Sequence, residues 1–314
     1  AAPWPGGRSW PRSRRPNDSL LTMGSQPAPT IERMWLCYLG CVTIVAMFTD
    51  GGGMKQHDPA MLLLVQGPVL LAVLVSYWLS VTRSQDASRY LRVCLAVVGL
   101  PIVFSALCWL LPSVHPEPYE FVWLGIDRWF FGEDVSRYSD DMPPWFVEVL
   151  QLDYAAFYAL CVGSVVLVGW HSGRHAFDRA ILLLVGGFLS SYLGYLLVPT
   201  IAPKLVLEHP HELVGLWFAA PVRASIDAME ANHWDCFPSG HTMMTLTNLI
   251  LLWRWARRWF WILLLPSLGL ILSTVLLRYH WASDVVVGAL WAWPCVRLCD
   301  WLADRDHWPS ATCS

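Results

Sequence analysis

The 314-residue chain is 55% hydrophobic and only 14% charged, with a mean hydropathy of +0.43, which excludes an ordinary soluble domain, where about 25% of residues are charged. A net charge of −3 is too small to point to a partner, and no basic run suggests nucleic acid. Nine cysteines (Cys37, Cys41, Cys94, Cys108, Cys161, Cys236, Cys295, Cys299 and Cys313) are scattered, mostly in apolar stretches, and make no C-x-x-C pair, so neither a disulfide framework nor a cysteine metal site is expected.

In chain order, residues 1–33 come first: rich in Pro, Arg, Ser and Gly, without apolar period, and expected to be a disordered tail. No apolar run follows their arginines as a cleaved signal peptide requires. Apolar spans then occur at about 34–49, 60–82, 91–112, 145–170, 176–199, 240–255, 259–277 and 282–303, and roughly 20 apolar residues cross a bilayer. The reading is an all-α polytopic membrane protein with eight transmembrane helices. Residues 34–82 make two peripheral helices, 91–303 the remaining six, and 304–314 a short tail. Trp253, Trp255, Trp259 and Trp261 mark one turn and Trp291, Trp293 and Trp301 another helix end, as interfacial indoles do.

Loop charge predicts the orientation. The short loops after the second, fourth and sixth spans carry Arg83, Arg89 and Arg92, then Arg174 and Arg179, then Arg254, Arg257 and Arg258. Two longer opposite loops carry Glu117, Glu120, Asp127, Glu133, Asp134, Asp140 and Asp141, then Glu208, Glu212, Asp227, Glu230 and Asp235. By the positive-inside rule the arginine loops and both termini are cytoplasmic, and the acidic loops face outward. With no eukaryotic targeting signal in view, a bacterial inner membrane is the expected location.

Three polar segments converge on that outer face. Lys204 follows the fifth span, Pro238-Ser239-Gly240-His241 opens the sixth, and Arg278-Tyr279-His280-Trp281-Ala282-Ser283-Asp284 joins the seventh to the eighth. Two antiparallel crossings separate His241 from His280, which returns both to one face. Displacement at a phosphate ester needs a nucleophile, a proton donor for the leaving oxygen and positive charge around the equatorial oxygens. His280 can attack phosphorus, Asp284 one turn later can hold its other ring nitrogen, and His241 can serve as acid and then base. Lys204 and Arg278 can supply charge, and the amides near Ser239 and Gly240 an anion site. Ionisable groups kept at three helix ends on one membrane face are costly and point to function. A plain i, i+4 pair of His280 with Asp284, in a transporter or lipid-binding protein, is the non-enzymatic alternative.

The loop over 205–235 holds His209, His211 and His233 with Glu208, Glu212 and Asp235, but without ligand spacing, so no metal is expected there. Arg223, its other strong cation, is a candidate for the phosphate clamp. Cys236 reads as packing.

Cys236-Phe237-Pro238-Ser239-Gly240-His241-Thr242, followed by Tyr279-His280-Trp281-Ala282-Ser283-Asp284-Val285-Val286-Val287-Gly288, resembles the second and third signatures of the type-2 phosphatidic acid phosphatase superfamily. Over residues 91–303 the resemblance implies a six-helix core, no metal or other cofactor, and a phosphohistidine. His280 would be the nucleophile, Asp284 its partner, His241 the acid, and Ser239 and Gly240 phosphate contacts. The first signature, a lysine, six residues, then Arg-Pro, is replaced here by the stretch from Gly194 to Lys204. Ser273 and Thr274 stand where the third signature has Ser-Arg, leaving Arg278 as the nearby cation. These departures, and Gly125-Ile126-Asp127-Arg128-Trp129-Phe130-Phe131-Gly132-Glu133, resemble the branch of the inositol phosphorylceramide synthases, with a further likeness to sphingomyelin synthases. The expected activity is hydrolysis of a lipid phosphate or pyrophosphate within the bilayer; the alternative is phosphotransfer of a headgroup to a lipid alcohol acceptor.

Overall fold

A computed structural model of the chain describes residues 29–49, 59–82, 85–115, 117–229 and 233–306. Most of the expected tail, residues 1–28, lies outside the described residues, as do Arg83, Glu230 and residues 307–314.

Helix α1 (Thr30–Phe48) starts inside the segment read as tail. Within that described start of the helix, Glu32 in its first turn is fully buried on Arg92 and Ser76. That contact also shows α2 (Pro59–Val81) running back along α1, since Ser76 near the end of α2 meets Glu32 near the start of α1. Helix α3 (Gln85–Cys94) continues through a π-turn at Leu95–Gly99 into α4 (Leu100–Val114) as one long apolar helix.

Two short elements follow on the side where α4 ends, α5 (Glu120–Phe131) and a 3-10 turn over Val135–Ser139. Helix α6 (Pro144–Leu197) counts 54 residues, about 81 Å if straight, far more than the ~30 Å a bilayer requires. It breaks at Gly173, whose φ of 80° is open to glycine at little cost. The arms fold back on each other: Phe157 and Phe188, on opposite sides of the break, lie with ring centroids 6.1 Å apart. These arms are the two separate spans read at 145–170 and 176–199.

Beyond α6 come α7 (Pro203–Val206), α8 (Ala219–Met229), α9 (Gly240–Trp255), α10 (Arg257–Leu276) and α11 (Ala282–Asp306). Six of the described helices are long and apolar enough to cross a membrane: α1, α2, the α3–α4 helix, α6, α10 and α11. With α6 doubled and the shorter α9 added, they match the eight apolar spans of the sequence. The 16 residues of α9 reach only about 24 Å, but it is the central helix, packed on α6, α10 and α11, with Met243, Met244, Leu251 and Leu252 fully buried. Leu64, Leu71, Leu265 and Leu290 by contrast are 63–77% exposed around the outside of the bundle, as lipid-facing leucines are. The chain is an all-α polytopic membrane protein.

Both long acidic loops carry short helices, and two helix starts at this end take a carboxylate from another element. Glu148 near the start of α6 accepts from the amides of Leu216, Trp217, Phe218 and Ala219 at 2.6–3.2 Å and so caps α8. Asp127 of α5 accepts from Ala282 and Ser283, both at 2.8 Å, at the start of α11. These caps satisfy amides that have no partner within their own helix.

Candidate active site

The site forms where three connections meet at one end of the bundle. After α6, Thr200 pairs in parallel with Asp235: Cys236 donates its amide to Thr200 O at 3.1 Å, and the Thr200 amide reaches Trp234 O at 3.4 Å. Lys204 donates its amide to Arg278 O at 3.0 Å. Trp281 in turn donates its indole N–H to Ile201 O at 2.9 Å. The segments carrying Lys204, His241 and His280 are thereby stitched together, as helix parity predicts.

Local chain chemistry explains the two histidine turns. Ser239 caps α9, its Oγ accepting from the Thr242 amide at 3.3 Å and donating to Thr242 Oγ1 at 3.1 Å. Gly288 of α11 lies so close that a Cβ there would sit 2.5 Å from Ser239 O, which is why α11 approaches this cap without a side chain. At the end of α10, Thr274 O accepts from both the Tyr279 amide at 2.9 Å and the His280 amide at 2.8 Å. The turn passes through Arg278 in the left-handed region at φ 67°, a conformation that costs a non-glycine residue about 1–3 kcal/mol. Its side chain holds it there, with Nε on Ser139 Oγ at 3.0 Å, one terminal nitrogen on His211 O at 3.1 Å and the other on Asp140 Oδ1 at 2.7 Å. Burial lowers the Arg278 pKa from its usual value, the Asp140 charge opposes that shift, and the Arg223 charge adds to it.

His280 is 5% exposed and Asp284 fully buried. Nδ1 of His280 lies 3.0 Å from the Cys236 carbonyl and 3.3 Å and 3.4 Å from the two Asp284 oxygens. A carbonyl only accepts, so Nδ1 carries the proton and the lone pair is on Nε2. Nε2 faces His241 Nδ1 at 3.3 Å. Asp284 also accepts the Trp281 amide at 3.1 Å, reaching back across the first turn of α11 as the third residue of a capping box does. His241 packs between Tyr154, stacked at 4.6 Å, and Phe157 at 4.3 Å.

A small polar pocket of about 30 Å³ is lined by Lys204, His233, Asp235, Cys236, His241 and His280, with Tyr154 and Tyr279 among its walls. Lys204 Nζ sits 4.1 Å over the Tyr279 ring and 2.5 Å from Asp227 of α8. Next to it, sharing Asp235 and His241, is an apolar cavity of about 500 Å³ between the α3–α4 helix and α6, walled by Phe104, Phe157, Phe188, Tyr192 and Tyr195. A polar pocket of catalytic side chains thus opens beside apolar space in the size range of small-molecule pockets, about 300–1,000 Å³.

Of the residues singled out in the sequence, His241, His280, Asp284 and Lys204 come together, and Gly240 lies buried at the first position of α9 with its amide at the helix start. Ser239 is buried with its hydroxyl engaged in the cap, Arg278 points into the Ser139–Asp140 turn, and Arg223 lies on α8 outside the lining of the polar pocket. Sequence reading missed Tyr154, Phe157, Asp127 and the chemistry of Cys236. Asp127 left a trace within the Gly125–Glu133 stretch and Cys236 at the head of the Pro238–His241 motif; Tyr154 and Phe157 left none.

Cys236 Sγ, His280 Nδ1 and an Asp284 oxygen lie within 4.8 Å of one another, a spacing that also suits a metal ion. Without an ion, Cys236 Sγ acts there as a thiol donor to Asp284 Oδ2 at 2.9 Å. Burial first and the Asp284 charge next raise its pKa well above the usual value, which favours the thiol that this hydrogen bond uses.

Residues 183–308 match the family model described as PAP2 superfamily. Phosphatidylglycerophosphatase B of Escherichia coli strain K12 and that of Shigella flexneri are each 38% identical to this chain over 84 residues, covering 24% of this chain and 33% of the relative. The match thus spans a third of the length of these curated relatives. No solved structure matches. The matched region runs from the second arm of α6 through α11 and contains Lys204, His241, His280 and Asp284, so the chain carries a PAP2 superfamily domain over residues 183–308.

Proposed function

We propose that the chain is a metal-independent lipid phosphate phosphatase that works through a phosphohistidine on His280. The observation that carries this reading is the tautomer: the Cys236 carbonyl and Asp284 hold the proton on Nδ1, which leaves the Nε2 lone pair directed to the pocket beside His241. In the first step that lone pair attacks phosphorus, the P–O bond to the lipid breaks, and His241 protonates the leaving oxygen. Positive charge on the phosphorylated imidazole is stabilised by Asp284. In the second step His241 takes a proton from water, the water oxygen attacks phosphorus, and the N–P bond breaks to give inorganic phosphate. Lys204 and the amides at the start of α9 face the phosphoryl oxygens.

The lipid chain has space in the apolar cavity that adjoins His241. The name of the relatives, phosphatidylglycerophosphatase B, supports a glycerophospholipid phosphate as substrate. The arginines at the opposite end of the bundle, Arg89, Arg92, Arg174, Arg179, Arg254, Arg257 and Arg258, support a site on the outer face of a bacterial inner membrane, with α1 starting and α11 ending on the cytoplasmic side.

The test is a chase with a ³²P-labelled lipid phosphate on purified protein in chelator. Label is expected on the protein in an acid-labile, alkali-stable form, then in inorganic phosphate. His280→Ala should abolish the protein label and lower turnover by about 10⁴-fold or more. Turnover that survives in His280→Ala, or that needs added metal, defeats the reading. Label passing only into a new lipid would make the enzyme a phosphotransferase.

A further inference from the structure

The proposed reaction uses the Cys236 carbonyl and leaves its thiol without a role. Cys236 is 3% exposed and its backbone is fixed on both sides, by the hydrogen bond its amide donates to Thr200 O and by the stacking of Phe237 on Trp123 at 4.1 Å. From that anchored position one residue touches both members of the His280–Asp284 pair. The carbonyl lies 3.0 Å from His280 Nδ1, and Sγ lies 2.9 Å from Asp284 Oδ2. Sγ is also 3.4 Å from Tyr279 O and 3.5 Å from His280 Nδ1, but the protonated Nδ1 cannot accept, and of the two acceptors the carboxylate is the nearer and the charged one.

We infer that Cys236 is a positioning residue whose thiol donates a hydrogen bond to Asp284 and thereby sets how strongly that carboxylate supports the nucleophilic histidine; the inference rests on the phosphohistidine reading for its kinetic consequence. Asp284 Oδ2 is shared by three donors, the Cys236 thiol, the Trp281 amide and Nδ1 of His280. Each draws charge from the same oxygen. Removing the thiol leaves more negative charge facing Nδ1–H, which favours the protonated, non-nucleophilic imidazolium, and lets the carboxylate turn away from its present rotamer. The other ionisable groups facing His280 are His241 of α9, Lys204 of α7, and His233 and Asp235 of the adjoining loop, together with Tyr154 and Tyr279 in the walls.

The experiment compares the full chain as wild type, Cys236→Ala and Cys236→Ser, on a lipid phosphate across pH, with thermal unfolding and elemental metal analysis of each. Alanine should lower kcat by about 10-fold with KM nearly unchanged, because one charge-assisted hydrogen bond is lost in the reacting pair and not in substrate binding. It should also move the acid limb of kcat/KM upward by roughly one pH unit. Serine, which keeps a donor at that place, should restore both. Two outcomes overturn the inference: an alanine variant with wild-type kcat and acid limb, or a serine variant as impaired as alanine although equally well folded. A stoichiometric transition metal in the wild type that is lost from Cys236→Ala would overturn it too, by making the thiol a ligand. The phosphohistidine reading is checked separately, by label trapping on wild type, so its failure and the failure of the Cys236 assignment are told apart.

Discussion

The two ends of the helix bundle handle buried charge in opposite ways. Where α1 starts and α11 ends, carboxylates close onto guanidinium forks. Glu32 binds Arg92 through both oxygens at 2.6 Å and 3.0 Å and takes the Ser76 hydroxyl at 2.5 Å. Asp178 binds the Arg89 fork at 2.7 Å and 3.0 Å, and both oxygens of Asp300 meet one terminal nitrogen of Arg254 at 2.8 Å and 3.0 Å. At the other end three buried carboxylates serve backbone amides, an imidazole and a thiol: Glu148 and Asp127 cap helices, and Asp284 holds His280 and Cys236. Bidentate forks neutralise charge and lock geometry. Amide and imidazole partners leave local charge in place and orient a reactive nitrogen instead. Two arginines at the site end are bonded like those of the far end: Arg278 to Asp140, Ser139 and a carbonyl, and Arg128 to both oxygens of buried Asp134 at 2.6 Å and 3.2 Å.

The sharpest way to break this comparison is at the far end. Arg92→Ala leaves Glu32 fully buried without its fork, and losing one partner of a buried pair costs about 3–5 kcal/mol. Thermal unfolding in detergent should therefore fall steeply, while kcat per folded molecule stays close to wild type. Replacing both partners, Arg92→Leu with Glu32→Gln, should recover much of the stability, because no uncompensated charge remains. A variant that kept its stability and lost its turnover would place catalytic work at the wrong end of the bundle.

The same contrast explains what the sequence disclosed. His241, His280, Asp284 and Lys204 were legible because each belongs to a short motif at a helix end, and parity alone decides which ends meet. The spans were legible for a similar reason: apolar length is a local property. The role of Arg278 was hidden, because proximity to His280 in sequence says nothing about a backbone at φ 67° that turns the side chain toward Ser139, 139 positions away. Asp127 meets α11 across 155 positions and Cys236 meets Asp284 across 48, and no periodicity reports such contacts. Glu32 was read as part of a polar tail because its partners lie 44 and 60 positions on. The sequence does not distinguish a charge that is solvated from one that is paired.

A smaller effect sharpens the site end. Lys204 is held by Asp227, whose side chain is 46% exposed, and by the Tyr279 face, partners that exchange readily for a phosphate. A hydrogen bond to a charged group contributes about 1.5–3 kcal/mol, so Lys204→Ala should lower kcat/KM by roughly 10- to 150-fold. Stability should change little, since a partly exposed pair contributes only about 0–1 kcal/mol. Steady-state kinetics beside thermal unfolding reads both. A large loss of stability with unchanged kcat/KM would move Lys204 into the structural class with Arg278.

The smallest effect is expected where the two patterns overlap. Asp127 is a buried carboxylate at the site end that touches no reacting group, yet it caps the helix whose first turn carries Asp284. Losing such a cap costs about 0.5–2 kcal/mol, and here it also releases the amides of Ala282 and Ser283, two and three positions after His280. Asp127→Ala should therefore lower the unfolding temperature modestly and reduce kcat with little change in KM, because the turn that aligns His280 with Asp284 loosens while the phosphate contacts on α7 and α9 stay put. Asp127→Asn retains one oxygen acceptor and should lie between the two. If Asp127→Ala shifted KM and left kcat alone, the cap would be acting on the substrate, and the division between carboxylates that orient and carboxylates that neutralise would need a third kind.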